Sequence, residues 1–205
     1  MNNKVSRRQF VMLAGAGSAA IALGSPFLTR SAEAASTPDA QMKAVLDELT
    51  AFKAPPIEKQ SPMNARNNPT PANAVMGVLA KQGKPAVEMV GDVSHQLIPG
   101  PAGDLLARIY KPQGQGPFPV LVYFHGGGWV IANLDTYDSS CRALTNAAKC
   151  MVVSVAYRQA PEHKFPAAAE DAYAATQWVM GNAAQINGDP KRIAVGGESA
   201  GGNLA

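Results

Sequence analysis

A serine framed by glycines, Gly197-Glu198-Ser199-Ala200-Gly201, follows a short apolar stretch ending near Gly196 and stands where the next helix would start. Glycines two before and two after the serine permit a strained strand-to-helix turn in which a Cβ would strike neighbouring backbone. Such a turn lifts the serine Oγ above the sheet. Ser199 is therefore the candidate nucleophile, with Gly197 and Gly201 as its structural support. Gly-x-Ser-x-Gly alone is a weak pattern, because both residues are common, and its strand-turn-helix setting is what gives it weight. A second element, His125-Gly126-Gly127-Gly128-Trp129, closes the apolar run 118–124. Three successive glycines leave their N–H groups open to a ligand oxygen, which is what the developing O⁻ of an acyl-transfer intermediate requires. Gly126, Gly127, Gly128 and the N–H of Ala200 are thus the candidate oxyanion donors. A phosphate cradle is the competing use of such a loop, but neither a Gly-Lys-Ser/Thr end nor Gly-x-Gly-x-x-Gly spacing accompanies it.

These residues need elements to hold them. Met42, Val45, Leu46, Leu49 and Phe52 follow helical spacing behind Asp39, a candidate N-cap, and Pro55-Pro56 stops that helix. Residues 61–71, rich in Pro and Asn, read as loop, and Val75, Met76 and Leu79 as a short second helix before Gly83. From Pro85 the pattern turns to strands, with a hairpin over 87–98 and 105–110 around Pro99-Gly100-Pro101-Ala102-Gly103. Residues 118–124 suit a strand buried on both faces. Helix is expected at 138–149, strand at 151–157, helix at 166–182 and strand at 193–195. This alternation predicts an α/β fold with a mainly parallel sheet.

With 46% hydrophobic and 16% charged residues in 205, the composition excludes disorder, collagen and coiled coil. The net charge of +3 lies wholly in the first 35 residues, which hold Lys4, Arg7, Arg8 and Arg30 against Glu33; the remainder holds fourteen residues of each sign. A nucleic-acid partner is not expected. That N-terminal stretch has the order of a removable export signal: a basic start, an apolar run over 10–23, then Ala32-Glu33-Ala34, with cleavage expected after Ala34. The run falls short of the roughly 20 residues a bilayer requires, so no stable membrane anchor is expected. Ser6-Arg7-Arg8-Gln9-Phe10-Val11 resembles a twin-arginine signal, which implies the twin-arginine export machinery as partner and a periplasmic or secreted destination. Cys141 and Cys150 form no metal-binding spacing and are expected to be small buried thiols. The chain divides into signal (1–34), helical cap (35–86) and the N-terminal part of an α/β domain (87–205).

Taken together, His125-Gly126-Gly127-Gly128-Trp129, Tyr157-Arg158, Ala160-Pro161-Glu162-His163, Phe165-Pro166-Ala167, Asp171-Ala172 and the run from Gly197 to Asn203 resemble the hormone-sensitive-lipase-like branch of the α/β-hydrolases, the bacterial esterase group. The likeness extends from about Asp39 to Ala205. It implies an α/β-hydrolase fold with a helical cap over an eight-stranded, mainly parallel sheet, and cleavage of short-chain carboxylic esters without a cofactor or metal. Under the resemblance Ser199 matches the nucleophile, Gly127, Gly128 and the Ala200 N–H match the oxyanion donors, and His125 matches an organiser of the glycine loop. Ala156, Gln159 and Lys164 stand where the family usually has Asp, Leu and Pro.

A serine nucleophile needs a base. His95 reads as an exposed strand residue, and the loop that holds His163 is structural in the family. Triad order in this fold is Ser, then Asp or Glu, then His. Six residues follow Ser199, so the triad acid and base are not among those present and the chain is expected to be a fragment. The expected function is hydrolysis of a small-molecule ester through an acyl-enzyme. A non-catalytic ligand-binding protein and a peptidase on the same fold are the alternatives.

Overall fold

The computed structural model describes residues 37–205; the export signal expected over 1–34 lies outside the described residues. Val45–Ala205 form one compact unit, and the candidate site lies wholly inside it. Of what precedes, residues 37–44 are a short irregular stretch and the start of α1 (Ala40–Ala51). Asp39 caps that helix as its position predicts, its carboxylate accepting the Met42 N–H at 2.8 Å.

The stretch expected as loop over 61–71 is partly helical. A 3-10 turn at Ile57–Lys59 is followed by α2 (Pro62–Arg66), started by Ser61, whose hydroxyl accepts the Asn64 N–H at 3.3 Å. Pro and Asn suggested a loop by composition, but Ser at the cap and Pro in the first turn are helix-start chemistry, where a missing N–H costs nothing. The next helix, α3 (Pro71–Lys81), begins four residues before Val75 for the same reason. Thr70 and Asn73 form a reciprocal capping box, with the Asn73 side chain accepting the Thr70 N–H at 2.8 Å.

Among the described residues, five strands then make one sheet. β1 (Asp92–Gly100) and β2 (Gly103–Lys111) are the expected hairpin, paired antiparallel with Ile98 opposite Leu105. β3 (Phe118–Phe124), β4 (Met151–Val155) and β5 (Gly188–Gly197) complete it in the order β1-β2-β4-β3-β5. β4 runs antiparallel to β2, while β3 runs parallel to both β4 and β5. The sheet is therefore mixed, with a parallel core and an antiparallel flank.

Alternation along the strands sorts side chains to two faces. Val120, Val122 and Phe124 of β3 join Met151, Val153 and Val155 of β4 against α5 (Ala167–Asn182). That helix presents Ala168, Ala172 and Ala175, whose small size lets it lie close to the sheet. Tyr110, Tyr123 and Val152 point the other way, toward Cys141 of α4 (Asp138–Ala148). Cys141 and Cys150 are buried free thiols, as expected, and burial pushes the Cys141 thiol up to about 12. β5 is longer than the three residues its apolar run suggested, because its pairing with β3 reaches back to Gly188, opposite Phe118.

Candidate active site

The two glycine motifs meet at the C-terminal ends of adjacent parallel strands, β3 and β5, where Phe124 lies opposite Gly197. Ser199 sits in the turn between β5 and the short helix α6 (Ala200–Leu204) with φ 51° and ψ −118°. Such a conformation costs a non-glycine residue about 1–3 kcal/mol and persists only where its surroundings enforce it. Here they do. A Cβ on Gly201 would lie 1.9 Å from the Phe124 carbonyl oxygen, and one on Gly197 would lie 2.4 Å from Gly201 backbone. Only glycine at both positions lets the turn press against β3, and the Gly201 N–H closes it on the Glu198 carbonyl at 2.8 Å.

The glycine loop is built in the same way. Gly127 has φ 106°, and a Cβ there would lie 2.1 Å from the Ile131 carbonyl oxygen. Its carbonyl accepts the N–H groups of Val130 (3.1 Å) and Ile131 (2.9 Å). A Cβ on Gly126 would lie 2.3 Å from the Glu198 carboxylate and 2.6 Å from the Tyr137 hydroxyl. Those two groups bond each other, the Tyr137 hydroxyl donating to Glu198. Burial and the Glu198 carboxylate both push the Tyr137 phenol well above its ordinary value, so it stays a donor. Among the described residues, none of the N–H groups of Gly127, Gly128 and Ala200 donates a hydrogen bond.

The three histidines have separate places. His125 is buried, stacks on Tyr157 with ring centroids 4.4 Å apart, and directs Nδ1 to the Gly126 carbonyl at 2.7 Å. The Tyr157 hydroxyl donates to the His125 carbonyl at 2.7 Å. Burial lowers the His125 pKa, which keeps the ring neutral. His95 on β1 accepts from Arg108 Nε at 2.8 Å, away from both motifs in a charged cluster with Asp135 and Asp138. His163 lines an apolar cavity of about 330 Å³ with Gly128, Trp129 and Phe165. Ser199 lines a different cavity, of about 530 Å³, with Gly127, Gly128, Val130, Ile131 and the cap residues Ile57, Pro62 and Ala65. None of the three histidines lines the Ser199 cavity.

Sequence reasoning missed Arg66, and it named Gln159, Arg158, Glu162 and Asp171 without their roles in fastening these loops. Arg66, at the end of α2, donates to the carbonyls of Val130 (2.7 Å) and Ala160 (2.9 Å) and to both oxygens of Glu162 (2.9 and 2.6 Å). Those bonds hold the Glu162 carboxyl down at about 2. Gln159, which replaces the family's Leu, donates to the carbonyls of Ile131 (2.8 Å) and Ala132 (3.1 Å), so the departure adds a tie to the glycine loop. Arg158 clasps the buried carboxylate of Asp171 at 2.7–3.0 Å and fixes the intervening loop to α5. No local pattern announces such pairs, since Arg66 reaches partners 64 to 96 positions away. The described residues contain no cluster of three His, Cys, Asp or Glu able to hold a metal, and no helix long and apolar enough to cross a membrane.

The sequence profile of a family described as alpha/beta hydrolase fold matches residues 121–205. The carboxylic ester hydrolase LipN of Mycobacterium tuberculosis is 51% identical over 122 residues, covering 59% of this chain and 32% of LipN. The gibberellin receptor GID1 of Oryza sativa is 44% identical over 93 residues, 43% of this chain and 26% of the receptor. A hyperthermophilic esterase of the archaeon Pyrobaculum calidifontis superposes with a TM-score of 0.68 at 39% identity, over 82% of this chain and 51% of that one. The chain thus spans about a third of the length of the curated relatives it matches and about half that of the solved ones. The chain thus has the α/β-hydrolase fold, and its sequence is similar to those of carboxylic ester hydrolases built on that fold.

Proposed function

We propose that the full-length protein is a serine esterase that cleaves small-molecule carboxylic esters through an acyl-enzyme. The observation that carries this reading is the strained Ser199, raised at the end of β5 beside a glycine loop with unengaged N–H groups. A base supplied by residues outside those described takes the Ser199 hydroxyl proton as Oγ attacks the ester carbonyl. The N–H groups of Gly127, Gly128 and Ala200 hold the oxyanion. Collapse expels the alcohol, which takes the proton back from the base, and water then clears the acyl group by the same route. Gly126 serves by its lack of a Cβ, since the Glu198–Tyr137 pair occupies the space a side chain would need. The apolar wall formed by Ile57, Pro62 and Ala65 suits a short acyl or alcohol group.

Replacing Ser199→Ala in the full-length protein is expected to abolish hydrolysis of p-nitrophenyl acetate and labelling by a fluorophosphonate. Hydrolysis that survives the substitution overturns the reading. The likeness to a hormone receptor favours one alternative, a ligand-binding protein; saturable ligand binding with no turnover, from a protein whose Ser199 is unreactive, would establish that instead. Faster cleavage of amides than of matched esters would establish a peptidase.

Export through the twin-arginine machinery to the periplasm or beyond is proposed on Arg7-Arg8 and the apolar run that follows. Changing both arginines to lysine is expected to retain the protein in the cytoplasm, and export that continues unchanged would refute it.

A further inference from the structure

We propose that Arg66 is a positioning residue that clasps the cap onto the oxyanion loop, so that one guanidinium holds both the donors of the oxyanion hole and the wall of the cavity beside Ser199. The inference rests on the esterase reading above and adds a residue that neither motif contains.

Three segments far apart in sequence converge on this side chain. Nε donates to the Val130 carbonyl, just beyond the glycine loop, and Nη2 donates to the Ala160 carbonyl. Ala160 in turn donates its N–H to the Trp129 carbonyl at 2.8 Å. The carbonyls of Trp129 and Val130 are therefore each tied down, one through Ala160 and one directly. Trp129 sits at φ 59° and Gly127 and Gly128 also have positive φ, so three residues of this loop occupy backbone conformations that invite rearrangement. A peptide plane that turns over in such a loop carries its N–H away from the oxyanion. Donors fixed before reaction are what make an oxyanion hole effective, because no reorganisation is then needed as charge develops. The remaining guanidinium bonds go to both oxygens of Glu162, which itself follows Pro161 in the same loop as Ala160. That fork fixes the rotamer of Arg66, and lysine, a single point donor, cannot reproduce it.

The same side chain ends α2, whose Pro62 and Ala65 line the Ser199 cavity. Buried apolar contact alone holds α2 weakly, since Ala65 is its one buried residue. Arg66 supplies the polar attachment. Substrates that fill the cavity feel the wall, whereas an acetyl ester scarcely reaches it, so the two duties separate kinetically.

The experiment compares the wild-type full-length protein with Arg66→Ala and Arg66→Lys on p-nitrophenyl acetate and p-nitrophenyl hexanoate, each rate divided by active sites titrated with a fluorophosphonate. Arg66→Ala is expected to lower kcat per titrated site about tenfold on both esters, and to raise KM about fivefold on the hexanoate but less than about twofold on the acetate. Arg66→Lys is expected to restore part of kcat and little of the hexanoate KM. A purely structural role would lower the titratable fraction and leave kcat and KM per site as in wild type, and that result overturns the proposal. Should Arg66→Ala fail to accumulate, Arg66→Lys decides it, wild-type constants per site being the refuting outcome. Ser199→Ala assayed in parallel separates the two readings: activity surviving there sinks the esterase assignment, whereas activity lost there but intact in both Arg66 variants sinks only the clasp.

Discussion

At the scale of single residues, the site is shaped by what glycine omits and by what burial does to polar groups. Gly126, Gly127, Gly197 and Gly201 each stand where a Cβ would collide with a carbonyl or a carboxylate. His125 adds a titrating group that the fold keeps neutral. Its imidazole pKa is lowered by burial, so the stability it contributes is present above the ordinary histidine value of about 6.5 and is lost as pH falls toward the folded-state value. The stability difference between wild type and His125→Gln, measured by urea unfolding of the full-length protein, is expected to shrink between pH 7.5 and 5. A difference that stays constant over that range would show that His125 does not titrate on unfolding. Glycine spacing made Ser199 and the donor loop readable from sequence. Arg66 and Tyr137 were not readable, because their partners are brought to them only by folding.

Elements bring these residues together through their ends. β3 and β5 are parallel neighbours, so the loops that leave their C-terminal edges share one rim of the sheet. This is the place where open α/β sheets hold ligands. The loop between β4 and α5 is the third contributor, and an ion pair of Arg158 with the fully buried Asp171 fixes it to α5. Asp171 also accepts the Arg158 backbone N–H at 2.9 Å. Removing Asp171 strips the Arg158 guanidinium and N–H of their shortest bonds and leaves only Glu170 at 3.6 Å and the Ala167 carbonyl at 3.3 Å, a loss that exceeds the pair's net contribution. Asp171→Ala is expected to destabilise the protein by about 3 kcal/mol in denaturant unfolding, and Asp171→Asn by less, since an amide oxygen still accepts. A loss below about 0.5 kcal/mol for the alanine variant would place the loop's stability elsewhere. Helices were the less legible elements: α2 was hidden in a stretch whose Pro and Asn content resembles a loop, while the apolar runs of β3 and β4 were visible directly.

For the molecule as a whole, the consequence lies at the sheet's boundary. β5 carries the nucleophile turn yet stands at the edge of the described sheet, with Val195 42% exposed. An open strand edge pairs readily with other chains, and a charged side chain on that strand opposes the pairing. Residues 37–205 produced alone are expected to self-associate, and Val195→Lys is expected to reduce the associated fraction in light scattering. Monomeric behaviour of both would show that the β5 edge is not sticky. The sequence by itself determined the strand and helix alternation, the candidate nucleophile and its donor loop, because these follow from local spacing and from the conformations only glycine adopts. Tertiary structure alone decided which histidine is buried, that Ser199 and His163 line different cavities, and that Arg66 joins cap, glycine loop and the Glu162 loop. Such contacts join residues tens of positions apart, and the energy that selects them comes from packing the whole sheet rather than from any one segment.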